Sequence, residues 1–170
     1  MTNFFPDPNY KLPTTSNYLK FQEGENTIRV LSSAIVGYEY WTGDNKPVRS
    51  REAPETIPAD IKIEKDGTYR INHFWAFVVY NYEANKIQIL EITQKGIMKT
   101  IEGLVKNPKW GNPFDYDITI TRTGSGFDTE YGVVPNPKEE LDTAVAMQYE
   151  RLNINLEALF YSGDPFMSVK

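Results

Sequence analysis

Flat aromatic rings and cations crowd one half of this chain, in a pattern suited to unpaired nucleic acid. Tyr38, Tyr40, Trp41, His73, Trp75, Phe77, Tyr80 and Tyr82 supply the rings, and Arg29, Arg49, Arg51, Lys62, Arg70 and Lys86 stand among or beside them. Single-strand binding needs both at once, because bases stack on aromatic faces while cations follow the phosphates. Arg122, between the run YDITI and Gly124, adds a cation that suits either a phosphate or a cross-strand partner such as Asp128 or Glu130. These residues form the candidate DNA-contact set. Each has a plainer reading. A single Phe fills a core more often than it meets a ligand, and Arg49 and Arg51 suit a solvated, salt-bridged loop equally well. Between residues 73 and 82 both alternating sets are aromatic, so one face is expected to be core and the other to be open.

Other chemistries find little support. The chain has no Cys, which removes disulfides and cysteine-ligated zinc. His73 is its single His and lacks an ordered set of carboxylates to complete a metal site. TGSG at 123–126 lacks the Lys-Ser/Thr ending of a phosphate loop. Asp115 and Asp117 share one face of a strand start, a common place for solvated carboxylates. No enzyme, metal or cofactor is expected.

The charge balance runs against a nucleic-acid partner at first sight, at -5 overall. Binding depends on a local face, however, and the negative charge is unevenly spread. Residues 1–135 carry 15 basic and 17 acidic side chains, and residues 136–170 carry 3 and 6. Nothing resembles a signal peptide or an apolar span of membrane length, so a cytoplasmic protein is expected, without a membrane partner.

The elements that position these side chains follow from composition. Residues 1–18, with Pro6, Pro8 and Pro13, read as an extended arm. Residues 26–42 read as one long strand bent near Gly37, and 43–68 as a polar loop with a short edge strand at 61–63. Strands follow at 70–82 and 86–93, joined by a turn at Glu83-Ala84-Asn85. Ile97, Ile101, Leu104 and Val105 share one helical face within 94–106. Tyr116–Thr123 alternates as a half-buried strand, 129–134 is its partner, and Pro135 and Pro137 are expected to end the sheet. Residues 138–161 read as helical. Three antiparallel strands, a helix and two more strands is the chain order of an OB fold. The expectation is therefore a mainly β protein: a five-stranded OB-fold Greek-key barrel over 19–137, with a helix between strands three and four. An acidic C-terminal helical segment spans 138–170.

The segments GENTIRVL, HFWAFVVYNYEANKIQILEITQKGI, WGNPFDYDITITRTG and TEYGVVPNP resemble phage single-stranded DNA-binding proteins with an OB fold. The resemblance covers roughly residues 20–137. It implies sequence-independent binding of single-stranded DNA during phage DNA replication, recombination or repair, in the host cytoplasm. It implies no zinc subdomain, since the chain lacks Cys. The alternative is an OB-fold adaptor that binds a replisome protein, which the sequence pI near 5.0 suits. Asp164-Pro165-Phe166 is similar to the acidic-Pro-Phe tip by which bacterial single-strand binders hold partners. The C-terminal segment, with Leu156, Leu159, Phe160 and Phe166 as apolar anchors, suits either a handle for replication or recombination proteins or a helix at 138–161 docked on the barrel as ordinary core.

Overall fold

A computed structural model of the chain describes residues 2–8 and 16–167. Residues 1 and 9–15 of the expected arm at 1–18 lie outside these residues. The protein is mainly β. Its strands are β1 (Gly24–Val30), β2 (Ile35–Trp41), β3 (Pro47–Ser50), β4 (Asn72–Asn81), β5 (Lys86–Ile92), β6 (Tyr116–Thr123) and β7 (Glu130–Lys138), with α1 (Lys95–Lys106) between β5 and β6 and α2 (Thr143–Leu152) after β7. The seven strands form one open antiparallel sheet in the order β3-β2-β4-β1-β6-β7, and β5 lies on the other edge of β4.

The strand count exceeds the expected five for two local reasons. β1 and β2 occupy the same edge of β4, with Val30 opposite Val79 and Ile35 opposite Ala76. The break falls at residues 31–34, not at Gly37, and Val78 N–H is met there by Ser32 Oγ at 2.8 Å instead of by a ladder carbonyl. The second addition is β3, inside the expected loop, which pairs with β2 through Trp41 opposite Pro47. The edge strand expected at 61–63 is reduced to a single bridge between Thr42 and Ile61. Pro135 and Pro137 do not end the sheet, because β7 runs to Lys138 as an edge strand. A missing N–H costs little on an edge, and the register shift between Tyr116 and Ile118 absorbs the local misfit. The expected helix at 138–161 is divided: Asn153 takes a left-handed conformation (φ 47°), ending α2, and Leu156–Tyr161 form a 3-10 turn.

β5 and β7 do not pair with each other. Residues 17–19 lie along the outer edge of β5 instead, with Leu19 N–H donating to the Ile89 carbonyl and Ile89 N–H to the Asn17 carbonyl. The same segment then reaches β6 and β7. Arg122 Nη1 donates to the Phe21 carbonyl at 3.0 Å, and the Phe21 ring tilts against Tyr131 at 5.7 Å. An N-terminal strap therefore occupies the gap in the sheet.

β4 is buried on both faces. Phe77 and Val79 point into a core with Ile28, Val30, Leu90, Ile92, Ile118 and Ile120, roofed by Ile97, Met98 and Ile101 of α1. Phe74, Ala76 and Val78 point the other way and meet Ile87, Ile89, Val145, Leu156 and Leu159. The C-terminal segment thus packs on the sheet as a second layer. Phe160 and Phe166 join it, and Asn155 N–H donates to the Pro165 carbonyl, so Asp164-Pro165-Phe166 is folded onto the body.

Candidate nucleic-acid interface

Three of the sequence-selected side chains, drawn from separate parts of the chain, meet in one open groove. Trp41 closes β2, Lys62 lies in the loop between β3 and β4, and Arg70 lies just before β4. Together with Asn45, Glu64 and Asn72 they line a groove of about 380 Å³. Trp41 is 44% exposed, a large fraction for an indole. The groove is built by the bridge from Thr42 to Ile61 and by Lys62 N–H donating to the Trp41 carbonyl, which together hold the loop against the end of β2. Lys62 Nζ rests 3.1 Å from Asn45 Oδ1, on the exposed side. A solvated indole beside two exposed cations can stack a base and hold its phosphate.

A second group lies on the opposite face of the same sheet end. Tyr38 stands opposite His73, and their rings are 5.0 Å apart. Val36 stands opposite Trp75, one pair further toward the core. Tyr40, opposite Val48, continues the row outward and its hydroxyl donates to Asp60. These residues extend the interior face of the sheet beyond the part that α1 roofs. His73 Nδ1 is buried and has no hydrogen-bond partner among the described residues.

The remaining candidates contact other parts of the protein. Arg29 is 1% exposed; it donates to Asp117 and to the carbonyls of Phe114 and Glu139. Phe77 is core. Tyr82 donates to Asp117 at 2.9 Å, and burial with that bond pushes its phenol up to about 12. Tyr80 packs edge-on against Tyr82 at 5.0 Å, at the β4–β5 turn where Lys86 begins β5. Arg122 is held by the Phe21 carbonyl. Arg51 pairs with Glu157 and lies 4.5 Å over the Phe160 ring, which ties the loop after β3 to the C-terminal layer.

Arg49 belongs to a buried acid cluster. It makes a bidentate pair with Glu91, at 3.2 Å through Nε and 3.0 Å through Nη2. Glu39 lies beside it, 3.4 Å from Nε and only 6% exposed. Burial first, and then the hydrogen bond and charge of Glu91, push the Glu39 carboxyl up to about 8. Burial would raise Glu91 too, but its bonds to Glu39 and Arg49 outweigh that and hold it below its ordinary range. One proton shared between two carboxyls, with one guanidinium, keeps this cluster near neutrality.

Sequence reasoning missed a basic face on α1. Lys95, Lys99, Glu102 and Lys106 recur at i, i+4, i+7 and i+11, all exposed, and Lys109 follows the helix. The signal was present in that spacing, which the apolar face of the same helix obscured.

An antiparallel sheet that presents an exposed indole and two cations in one groove defines a candidate nucleic-acid-binding protein. The chain is 31% identical over 140 residues to a protein of Escherichia phage T5 named as a probable ssDNA-binding protein. The match covers 68% of this chain, and the chain spans about half (53%) of the relative's length. This relationship bears out the resemblance to phage single-stranded DNA-binding proteins. No protein-family profile and no solved structure matches it.

Proposed function

We propose that the protein binds single-stranded DNA without strong sequence preference and without enzymatic activity, and coats it during phage DNA replication, recombination or repair in the host cytoplasm. The observation that carries this reading is the relationship to the T5 protein, which is named as a probable ssDNA-binding protein. The groove at Trp41, Lys62 and Arg70 supplies the chemistry that the reading needs, an open stacking surface with cations on its rim. The connectivity supports an OB-type scaffold beneath it. If β1 and β2 count as one broken strand, its pairings with β4 and β6, those of β4 with β5 and of β6 with β7, and the place of α1 follow that chain order. The strap at 17–22 stands where an OB barrel would close strand three on strand five.

Fluorescence anisotropy with labelled oligo-dT tests the reading against duplex of the same length. Tight binding to oligo-dT, weak binding to duplex, and an affinity that falls as salt rises are expected. Equal or absent binding to both would refute it and leave the protein-adaptor function in its place.

A further inference from the structure

Another uncovered surface lies on the far side of the sheet from Trp41. A groove of about 430 Å³ opens where β1 breaks from β2, between that break, α1 and the loop before β6. Its walls are apolar: Val36, Trp75, Ile101, Val105 and Phe114. Three of them stand well into solvent, with Val36 46%, Val105 38% and Phe114 44% exposed. Ser33 and Asn112 add polar atoms at the rim. Glu102 and Lys106 line it from α1, and Lys106 heads the exposed lysine face that runs back through Lys99 to Lys95. Lys95, Lys99, Lys106 and Lys109 against Glu102 leave this stretch at +3 within a chain of net charge -5.

Those two features are complementary to one kind of ligand. An apolar slot walled by an exposed phenyl ring suits the flat, weakly hydrated face of an unpaired base. A row of lysines beside the slot suits the charged backbone that any such base carries. We propose that this groove is a second subsite for single-stranded DNA, holding one unpaired base against Phe114 with flanking phosphates along the lysine face of α1. The proposal rests on the single-stranded DNA reading above. The two subsites lie on opposite faces of the sheet and toward opposite ends of β2, roughly 17 Å apart from Val36 to Trp41. A strand must therefore pass around the end of the sheet, past Tyr38, Tyr40 and His73, to fill both.

The test compares oligo-dT of increasing length on the whole chain, in the parent, Trp41→Ala, Phe114→Ala, Phe114→Tyr and the pair Lys95→Gln/Lys99→Gln. Phe114→Ala should weaken long oligonucleotides roughly tenfold and leave the shortest binders unaffected. Phe114→Tyr should restore affinity, since a phenol stacks as well. The lysine pair should lower the log–log salt slope by about 1.4, at about 0.7 per phosphate contact. Photo-crosslinking with 5-iodouracil oligonucleotides should label the tryptic peptide 110–122, which contains Phe114. If the parent binds and Trp41→Ala weakens it, while Phe114→Ala matches the parent at every length, the second subsite does not exist. If the parent binds no single-stranded DNA, the functional reading fails and this proposal falls with it.

Discussion

Arg29 and Asp117 stand directly opposite each other in the β1–β6 ladder, and Arg29 Nε donates to Asp117 Oδ1 across 2.7 Å with the arginine almost wholly buried. Asp117 also accepts from Tyr82, so a single carboxylate joins β1, β6 and the end of β4. Removing one partner of a buried pair strands the other charge, at a cost of about 3–5 kcal/mol. Arg29→Met should lower the unfolding free energy by that order in denaturant titration. Its DNA affinity, measured on protein that is still folded, should equal the parent's, because the guanidinium faces inward.

Trp41, Lys62 and Arg70 separate stacking from charge. Trp41→Ala should weaken oligo-dT by about 1–3 kcal/mol and shrink the quench of tryptophan fluorescence on binding, with little change in melting temperature. Lys62→Gln and Arg70→Gln should each lower the salt slope by about 0.7. A slope unchanged in both variants would remove these cations from the DNA path.

The Glu39–Arg49–Glu91 cluster predicts a pH dependence of stability with a definite sign. Glu39 keeps its proton in the folded protein up to about pH 8, above its ordinary value of 4.5. Its contribution is therefore fully present below pH 4.5 and is lost as the pH rises toward 8. Glu91 acts in the opposite sense, and its contribution is lost as the pH falls into the acid range. In Glu39→Gln the melting temperature should fall less between pH 5 and pH 8 than in the parent. Parallel curves for the two proteins would contradict the assignment.

Truncation tests the C-terminal layer. A chain ending at Asp142 loses Val145, Leu156 and Leu159 and bares Phe74, Val78, Ile87 and Ile89. It should lose cooperative unfolding and bind an apolar dye such as ANS. A chain ending at Gly163 loses the Phe166 contact and the Asn155–Pro165 bond but keeps α2. It should melt a few degrees lower and still fold.

Gly37 offers a local check on packing. A Cβ there would collide with the Ser50 carbonyl and lie 3.0 Å from the Phe160 ring. Gly37→Ala should loosen β3 and Phe160 together, seen as faster amide exchange at β3 and a lower melting temperature.

How legible each part was depends on how local its cause is. YDITI read correctly as a half-buried strand, because one of its faces is polar and the alternation is visible within eight residues. The helix at 95–106 and the turn at Asn85 (φ 50°) were equally local. β4 was ambiguous because both its faces are apolar, and only the segment some 70 residues further on decides that both are covered. Gly37 suggested a bend, yet it is a point of close approach between β2, β3 and Phe160. Arg29 has the composition of a phosphate ligand, and its partner lies 88 residues away. The cluster around Arg49 depends on the registers of three strand pairs, which no single segment encodes. Trp41, Lys62 and Arg70 were legible as residue types, and the bridge between Thr42 and Ile61 brings them together.

The strap at residues 17–22 also sets an order of events during synthesis. Two of its hydrogen-bond partners lie far downstream, with Asn17 meeting Ile89 across 72 residues and Phe21 meeting Arg122 across 101. On the ribosome, Leu19 and Phe21 emerge well before anything exists for them to dock on. The outer edge of β5 likewise waits unpaired once it appears, until the strap returns to it. Contacts of such long sequence separation form late and slowly. The nascent protein therefore carries an open strand edge, the usual template for self-association, until the strap seals it.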